Sequence, residues 1–317
     1  MAAAVEVRPA VPTSSPPREG FRVVVGVVAT IVPLALVVIV VILFKQAWPA
    51  IQHFGPAFLW RSEWNPVSED FSALPAIFGT VATSFMALAL ALPIGVAVAI
   101  ILAEPGATRV RAVLGTGIEL LAAIPSVVYG IWALYVLGPW SYEHIEVQIA
   151  DHASMIGWLQ SPAVRGLFNA ALVLGVMILP TLTAISRDVI KAVPRGLKEN
   201  SVALGATWWE TTWRVILPSA RAGIFGATIL ALGRALGETI AVTMIIGNQY
   251  AIPHTIFQPA YTLASVIANE FTEATGTLYP AALIELALVL ILVTLVVNIF
   301  ALLLVRSTTS PDARLTA

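Results

Sequence analysis

Apolar residues in this chain fall in long runs rather than in amphipathic stripes, and six of those runs are long enough to cross a bilayer. A helix spanning the hydrocarbon core needs about 20 mostly apolar residues. The runs lie at about 21–44, 73–103, 113–137, 164–185, 222–247 and 280–305. The second is long enough to tilt, or to kink at Pro93, and the third contains Glu119 and Pro125. The pattern predicts an all-α membrane protein with six transmembrane helices.

The polar positions between the runs predict an orientation. With the N-terminus inside, the cytoplasmic segments hold Arg8, Arg18, Arg22, Arg109, Arg111, Arg187, Lys191, Arg195, Lys198, Arg214, Arg221, Arg306 and Arg314. The outer segments hold Lys45, Arg61 and Arg165, and 138–162 and 248–279 carry no Lys or Arg. Basic residues concentrate in cytoplasmic loops. An even number of spans then puts both termini in the cytoplasm of a multi-pass plasma (inner) membrane protein.

Composition narrows the function class. Of 317 residues, 58% are hydrophobic and 11% charged, with a mean hydropathy of +0.89. A soluble domain carries about 25% charged residues, so a soluble enzyme is excluded. The net charge of −1 gives no field for a nucleic acid. The absence of cysteine removes disulfides, thiolate metal sites and cysteine nucleophiles. The first apolar run exceeds a signal-peptide core and lacks a cleavage site after it, so it reads as a true span. Residues 1–20, rich in Pro and Ser, read as a disordered cytoplasmic tail. The first helix and its outer loop then occupy 21–72, the core transmembrane domain 73–306, and a short cytoplasmic tail 307–317.

Trp48, Trp60, Trp64, Trp140 and Trp158 lie in outer segments and read as anchors at the membrane–water boundary. His53, His144, His152 and His254 lie on the same side. His144, Asp151 and His152 match no compact metal spacing, so no metal is expected.

The long cytoplasmic loop at 186–221 carries the most specific signal. Glu199 opens a short helical run, Gly205 permits a turn near its end, and Trp208, Trp209, Trp213 and Pro218 lead back to the membrane. A short helix with exposed apolar surface, tethered to two spans, suits a groove on a partner. This stretch resembles the loop of permease subunits of binding-protein-dependent ABC importers, whose pattern is Glu-Ala-Ala-x-x-x-Gly followed by Ile-x-Leu-Pro. Here Glu199, Ala203 and Gly205 are followed by Val215, Leu217 and Pro218, with Asn200-Ser201 replacing the two alanines. The resemblance implies a type I importer fold and a coupling helix that docks on an ATPase.

Four ionisable residues fall inside predicted spans: Glu119, Arg234, Glu238 and Glu285. A charge at the bilayer centre costs at least ~2.5–3.5 kcal/mol, so each should face a pathway or a partner. Arg234 and Glu238 are four apart, which on a continuous helix puts them on one face. Gly233 and Gly237 beside them would admit another helix. A guanidinium suits a tetrahedral oxyanion, although a self-neutralising structural pair is equally compatible with this spacing. The string from Gly233 to Asn248 resembles the fifth span of phosphate-specific ABC permeases, which carry Arg and Glu there. Trp64-Asn-Pro66, Phe71 to Thr80, Thr183 to Val189 and Ala268-Asn-Glu-Phe271 resemble the same family, over about 64–305.

The resemblance implies a substrate path at Arg234 and Glu238, with Glu119 and Glu285 as secondary polar sites read as structural. It implies no cofactor in this chain and ATP-Mg in a partner ATPase. The implied partners are a second permease of the PstA type, two ATP-binding subunits, an extracytoplasmic phosphate-binding protein and membrane lipid. A sulfate or molybdate permease is the alternative, because such permeases look similar around 235–238. A proton-driven carrier is disfavoured by the coupling loop, and an intramembrane enzyme by the lack of HExxH or GxSxG strings.

Overall fold

In the computed structural model, residues 19–104, 109–152 and 156–308 are described. The tails expected at 1–20 and 307–317 lie almost wholly outside them. The described residues form α1 (Glu19–Phe54), α2 (Leu74–Ala103), α3 (Arg109–Ala123) and α4 (Ser126–His152). There follow α5 (Leu167–Ala192), α6 (Arg195–Ala203), α7 (Trp208–Leu236), α8 (Ile240–Ile245), α9 (Leu263–Glu270) and α10 (Leu278–Thr308). No strand occurs among these residues, only two isolated bridges.

Two predicted spans are broken. The expected helix at 113–137 stops at Ala123 and resumes at Ser126, with α3 and α4 bent by 100°. Pro125 has an extended backbone, φ −62° and ψ 146°. Its ring removes an N–H and pushes the preceding residue out of the helical region. The segment expected as an outer loop at 138–162 is instead helical to His152, through two wide turns at Ala133–Leu137 and Tyr142–Glu146. The fifth span, expected at 222–247, starts earlier, at Trp208, and ends at Leu236.

The helix packing settles how often the chain crosses. α2 and α5 make the most extensive interface. A side chain at Gly175 would lie 3.3 Å from the Ala87 carbonyl oxygen, and one at Gly95 would lie 2.9 Å from Leu182. The contacts advance in the same direction along both helices, so α2 and α5 run parallel. The chain between them must return across the membrane, and the bent α3–α4 pair is that return. The total is therefore six crossings: α1, α2, α3–α4, α5, α7 and α10.

Lipid tails are as apolar as leucine, so membrane helices associate through close packing rather than water expulsion. The buried face of α2 shows the result: Ala76, Gly79, Thr80, Thr83, Ser84, Ala87, Ala91, Gly95, Ala99 and Ala103 recur at helical spacing. α1 is the opposite case, with large side chains exposed from Phe21 to Trp48. Only its end enters the core, where Ala50 joins Phe58, Phe71, Tyr261 and Tyr279.

Candidate coupling helix and translocation site

α6 is a short helix that packs against the start of α7. Pro194 precedes it in an extended conformation, and Gly205, with φ +89°, ends it. The Gly205 N–H donates to Val202 O at 2.9 Å and the Ala206 N–H to Ser201 O at 3.2 Å. This is a Schellman closure, and its left-handed residue is glycine because a side chain there is strained. The next residues open α7: Thr207 accepts from the Glu210 N–H at 3.3 Å, and Glu210 Oε2 accepts from the Thr207 N–H at 2.9 Å. One helix is thus closed and the next capped within a few residues. Ser201 Oγ and Thr211 Oγ1 share a hydrogen bond of 3.0 Å between them.

The helix begins four residues before Glu199 and ends at Ala203, earlier than the Glu199–Ala206 run the sequence suggests. Glu199, Ala203 and Gly205 are exposed, and so are apolar Leu197, Val202 and Leu204, the last at 90%. The helix thus presents leucine and valine side chains uncovered. Leu217 is half-buried and Pro218 exposed, just beyond a wide turn at Thr212–Ile216. Proline cannot donate to the preceding turn, and the widened turn accommodates it.

Arg234 is exposed on α7, two residues before the helix ends. Glu238 does not share its helix face, which corrects the sequence expectation. The chain leaves the helix at Gly237, and Thr239 Oγ1 donates to Gly237 O at 3.3 Å. Glycine is a poor helix former, and a threonine hydroxyl competes for local carbonyls. No ion pair joins Arg234 to Glu238; those between described residues are Arg111–Glu104 and Arg187–Asp188. Glu238 sits half-buried in the break, its N–H donating to Ala235 O at 3.3 Å. The expected close approach at the two glycines is loose: a side chain at Gly233 would meet Asn298 of α10 at 3.9 Å, and Gly237 would meet only Gly233 O.

The bend at Pro125 supplies a neighbour the sequence did not suggest. Tyr129, buried in α4, is within electrostatic reach of Arg234 and donates to Leu121 O at 2.8 Å. Gly130 packs against α8, where a side chain would lie 2.6 Å from Met244 Sδ. The two broken spans therefore meet beside Arg234. Glu119 is exposed on α3, away from this group's hydrogen bonds. Glu285 is buried in α10 with Oε2 unpartnered. It lies thirteen residues, or about 20 Å along the helix, from Asn298, so it is remote from Arg234.

The end opposite α6 is closed by the segment between α8 and α9. Its carbonyls at Ile256 and Gln258 accept from the Phe168 and Leu167 N–H groups at 2.9 and 3.0 Å, satisfying the free donors at the start of α5. It passes α2 so closely that a side chain at Gly79 would lie 2.1 Å from Tyr261 O. Beside it Glu270 accepts from Trp64 Nε1 at 2.5 Å and from the Tyr279 hydroxyl at 2.7 Å. Trp64 is thus a half-buried hydrogen-bond donor, whereas Trp48, Trp60, Trp140 and Trp158 are exposed. The Tyr250 hydroxyl donates to Ser72 O, and Asn269 donates to the Tyr261 hydroxyl at 2.8 Å. Asn269 and Glu270 belong to the 268–271 run that the sequence singled out. His144 and His152 are spent on helix carbonyls at 3.0 and 2.8 Å, and no metal-holding group of three occurs among the described residues.

Comparison with known proteins fits this geometry. Residues 91–310 match the model of the family described as binding-protein-dependent transport system inner membrane component. The chain belongs to that family and is a multi-pass permease. It is 44% identical over 292 residues to the phosphate transport system permease protein PstC of Pasteurella multocida, covering 90% of this chain and 91% of that one. The PstC of Mesorhizobium japonicum is 43% identical over 87% and 86%, and a probable PstC of Methanocaldococcus jannaschii 34% identical over 89% and 91%. Identity of this order over nearly the whole of both chains places it among the PstC permeases. Among solved structures, a methionine ABC transporter described as inward facing aligns with TM-score 0.55 and 17% identity, over 74% of this chain and 95% of that one. An alginate importer aligns with TM-score 0.54 and 15% identity, over 91% and 100%. These likenesses identify the fold as the type I importer permease fold.

Proposed function

We propose that the chain is a permease subunit of an ATP-driven importer of inorganic phosphate. The carrying observation is identity above 40% with PstC permeases along nearly the full length of both chains. In this reading it forms half of the pathway beside a second, PstA-like permease. Of two ATP-binding subunits, one docks on α6 and the other on the second permease, and an extracytoplasmic binding protein delivers phosphate at the opposite end. ATP-Mg belongs to the ATP-binding subunits and supplies the free energy of the cycle. Both termini and α6 are cytoplasmic, in keeping with the basic residues at 187–221 and the bare loop at 248–279.

The chain's own residues then have distinct tasks. The exposed apolar face of α6, with Glu199 and Ala203, receives the push of the ATP-binding subunit docked on it. The Schellman closure, the capping box and the Ser201–Thr211 hydrogen bond pass it to α7. Leu217 and Pro218 fix the entry of α7 into the bilayer. At its far end Arg234 offers a permanent charge to a phosphate oxyanion, and Glu238 in the break accepts a hydrogen bond from a protonated phosphate oxygen. Binding is transient, because a site that holds too tightly cannot conduct.

The test is labelled-phosphate uptake by the assembled importer. Arg234→Gln is expected to abolish uptake while the complex still assembles; normal uptake overturns the role of Arg234. Competition by unlabelled sulfate and molybdate checks the anion: failure of both to compete supports phosphate, and strong competition by either favours the other oxyanion.

A further inference from the structure

A cavity of about 610 Å³ lies between α2 and α7, lined in part by Trp208, Trp209 and Trp213. Pro93 and Ala97 of α2 and Phe225 of α7 form its walls, and Arg221 is the one charged side chain that lines it. Arg221 is exposed and joins no ion pair among the described residues. The three indoles form a chain with neighbouring ring centres 5.6 Å apart, and each is about half exposed. We infer that this cavity binds an anionic phospholipid of the inner leaflet, its acyl chain between α2 and α7 and its phosphate on Arg221.

Three observations carry this. The walls are aliphatic and aromatic, as an acyl chain requires. Arg221, in the segment read as cytoplasmic, joins no ion pair among the described residues, and basic pockets between spans near the cytoplasmic surface take lipid head groups. Indoles favour the same boundary. The cavity is also turned away from the proposed path. Phe225 and Arg234 are nine residues apart, about 900° around the helix and so on opposite faces. This placement rests on the reading of Arg234 as facing the path and of α6 as cytoplasmic. The same Trp208 lines a second cavity, of about 390 Å³, behind α6 with Lys198, Val202 and Thr212. A lipid in the first cavity therefore props the joint between α6 and α7.

The test is native mass spectrometry of the assembled importer released from membranes of equal phosphatidylglycerol and phosphatidylcholine. Retained lipid should favour phosphatidylglycerol by about fivefold, the factor that about 1 kcal/mol per basic residue gives. Arg221→Gln should bring the ratio to about one. Ala97→Trp, which fills the cavity, should remove the retained lipid whatever its head group. Equal retention of both lipids by the native complex overturns the proposal, as does a phosphatidylglycerol excess that survives both variants. Cross-linking of Ala97→Cys to the second permease would also overturn it, by showing a protein occupant. Lipid retention is read without uptake, so its failure is distinct from failure of the transport reading.

Discussion

Single residues carry most of the polar chemistry in a chain with few charges. Glu270 shows how one carboxylate holds an end of the molecule together. It receives Trp64 and Tyr279; Trp64 meets Phe71 edge-on at 4.8 Å between ring centres, and Tyr279 stacks on Phe71 at 4.9 Å. Hydrogen bonds to a charged group contribute about 1.5–3 kcal/mol each. Glu270→Ala is expected to destabilise the permease by about 3 kcal/mol, read as a lower unfolding temperature of the purified complex, whereas Glu270→Gln, which can still accept, should lose less. At this scale the sequence was partly legible. It marked 268–271 by resemblance, but nothing in its pattern tied Glu270 to Trp64, 206 positions away. Glu146 went unnoticed because it lay in an expected outer loop. It is wholly buried, accepting from Asn169 at 2.6 Å and from the Ala163 N–H at 2.9 Å, and it ties α4 to the start of α5.

Among elements, α6 was the most legible, because its glycine and flanking proline act through local geometry. Its bounds were not, since Leu197 alone among Arg195, Gly196 and Lys198 makes no apolar run. Gly205→Val tests the closure. A β-branched residue in the left-handed region costs about 1–2 kcal/mol, so the α6–α7 joint should loosen. The expected outcome is a complex that assembles but couples poorly, with less phosphate moved per ATP hydrolysed, measured in proteoliposomes. Thr207→Ala removes the hydroxyl of the capping box at a cost of about 1 kcal/mol and should shift the same ratio less. The broken spans were the least legible elements. Hydropathy is blind to a bend, so although Pro125, Arg234 and Glu238 are visible in these runs, their mean hydropathy does not show that the helix breaks at Pro125 or at Gly237–Thr239. The spacing of Arg234 and Glu238 misled for the same reason, because it means a shared face only while the helix continues.

At the scale of the whole molecule, six crossings follow from counting apolar runs and again from the parallel α2 and α5. An even number puts Glu19 and the end of α10 on one side. Reporter fusions after residues 18 and 308 should both be active in the cytoplasm, and fusions within 60–70 or 248–262 should be active outside; opposite signals at the two ends would overturn the count. What the runs could not reveal is the packing. The small residues of α2 read as hydrophobic filler in sequence, yet they decide how near α5 approaches.

The continuity of α7 has a mechanical consequence. From Trp208 at its foot to Leu236 at its head it is one helix of 29 residues, or about 43 Å. A rod of that length is a lever. A tilt of about 5° at the foot swings the head by about 4 Å, more than the width of a water molecule. On the proposed reading a small movement at the α6 end is thus magnified where Arg234 stands, and the buried head of the helix carries it into the core that it shares with α8.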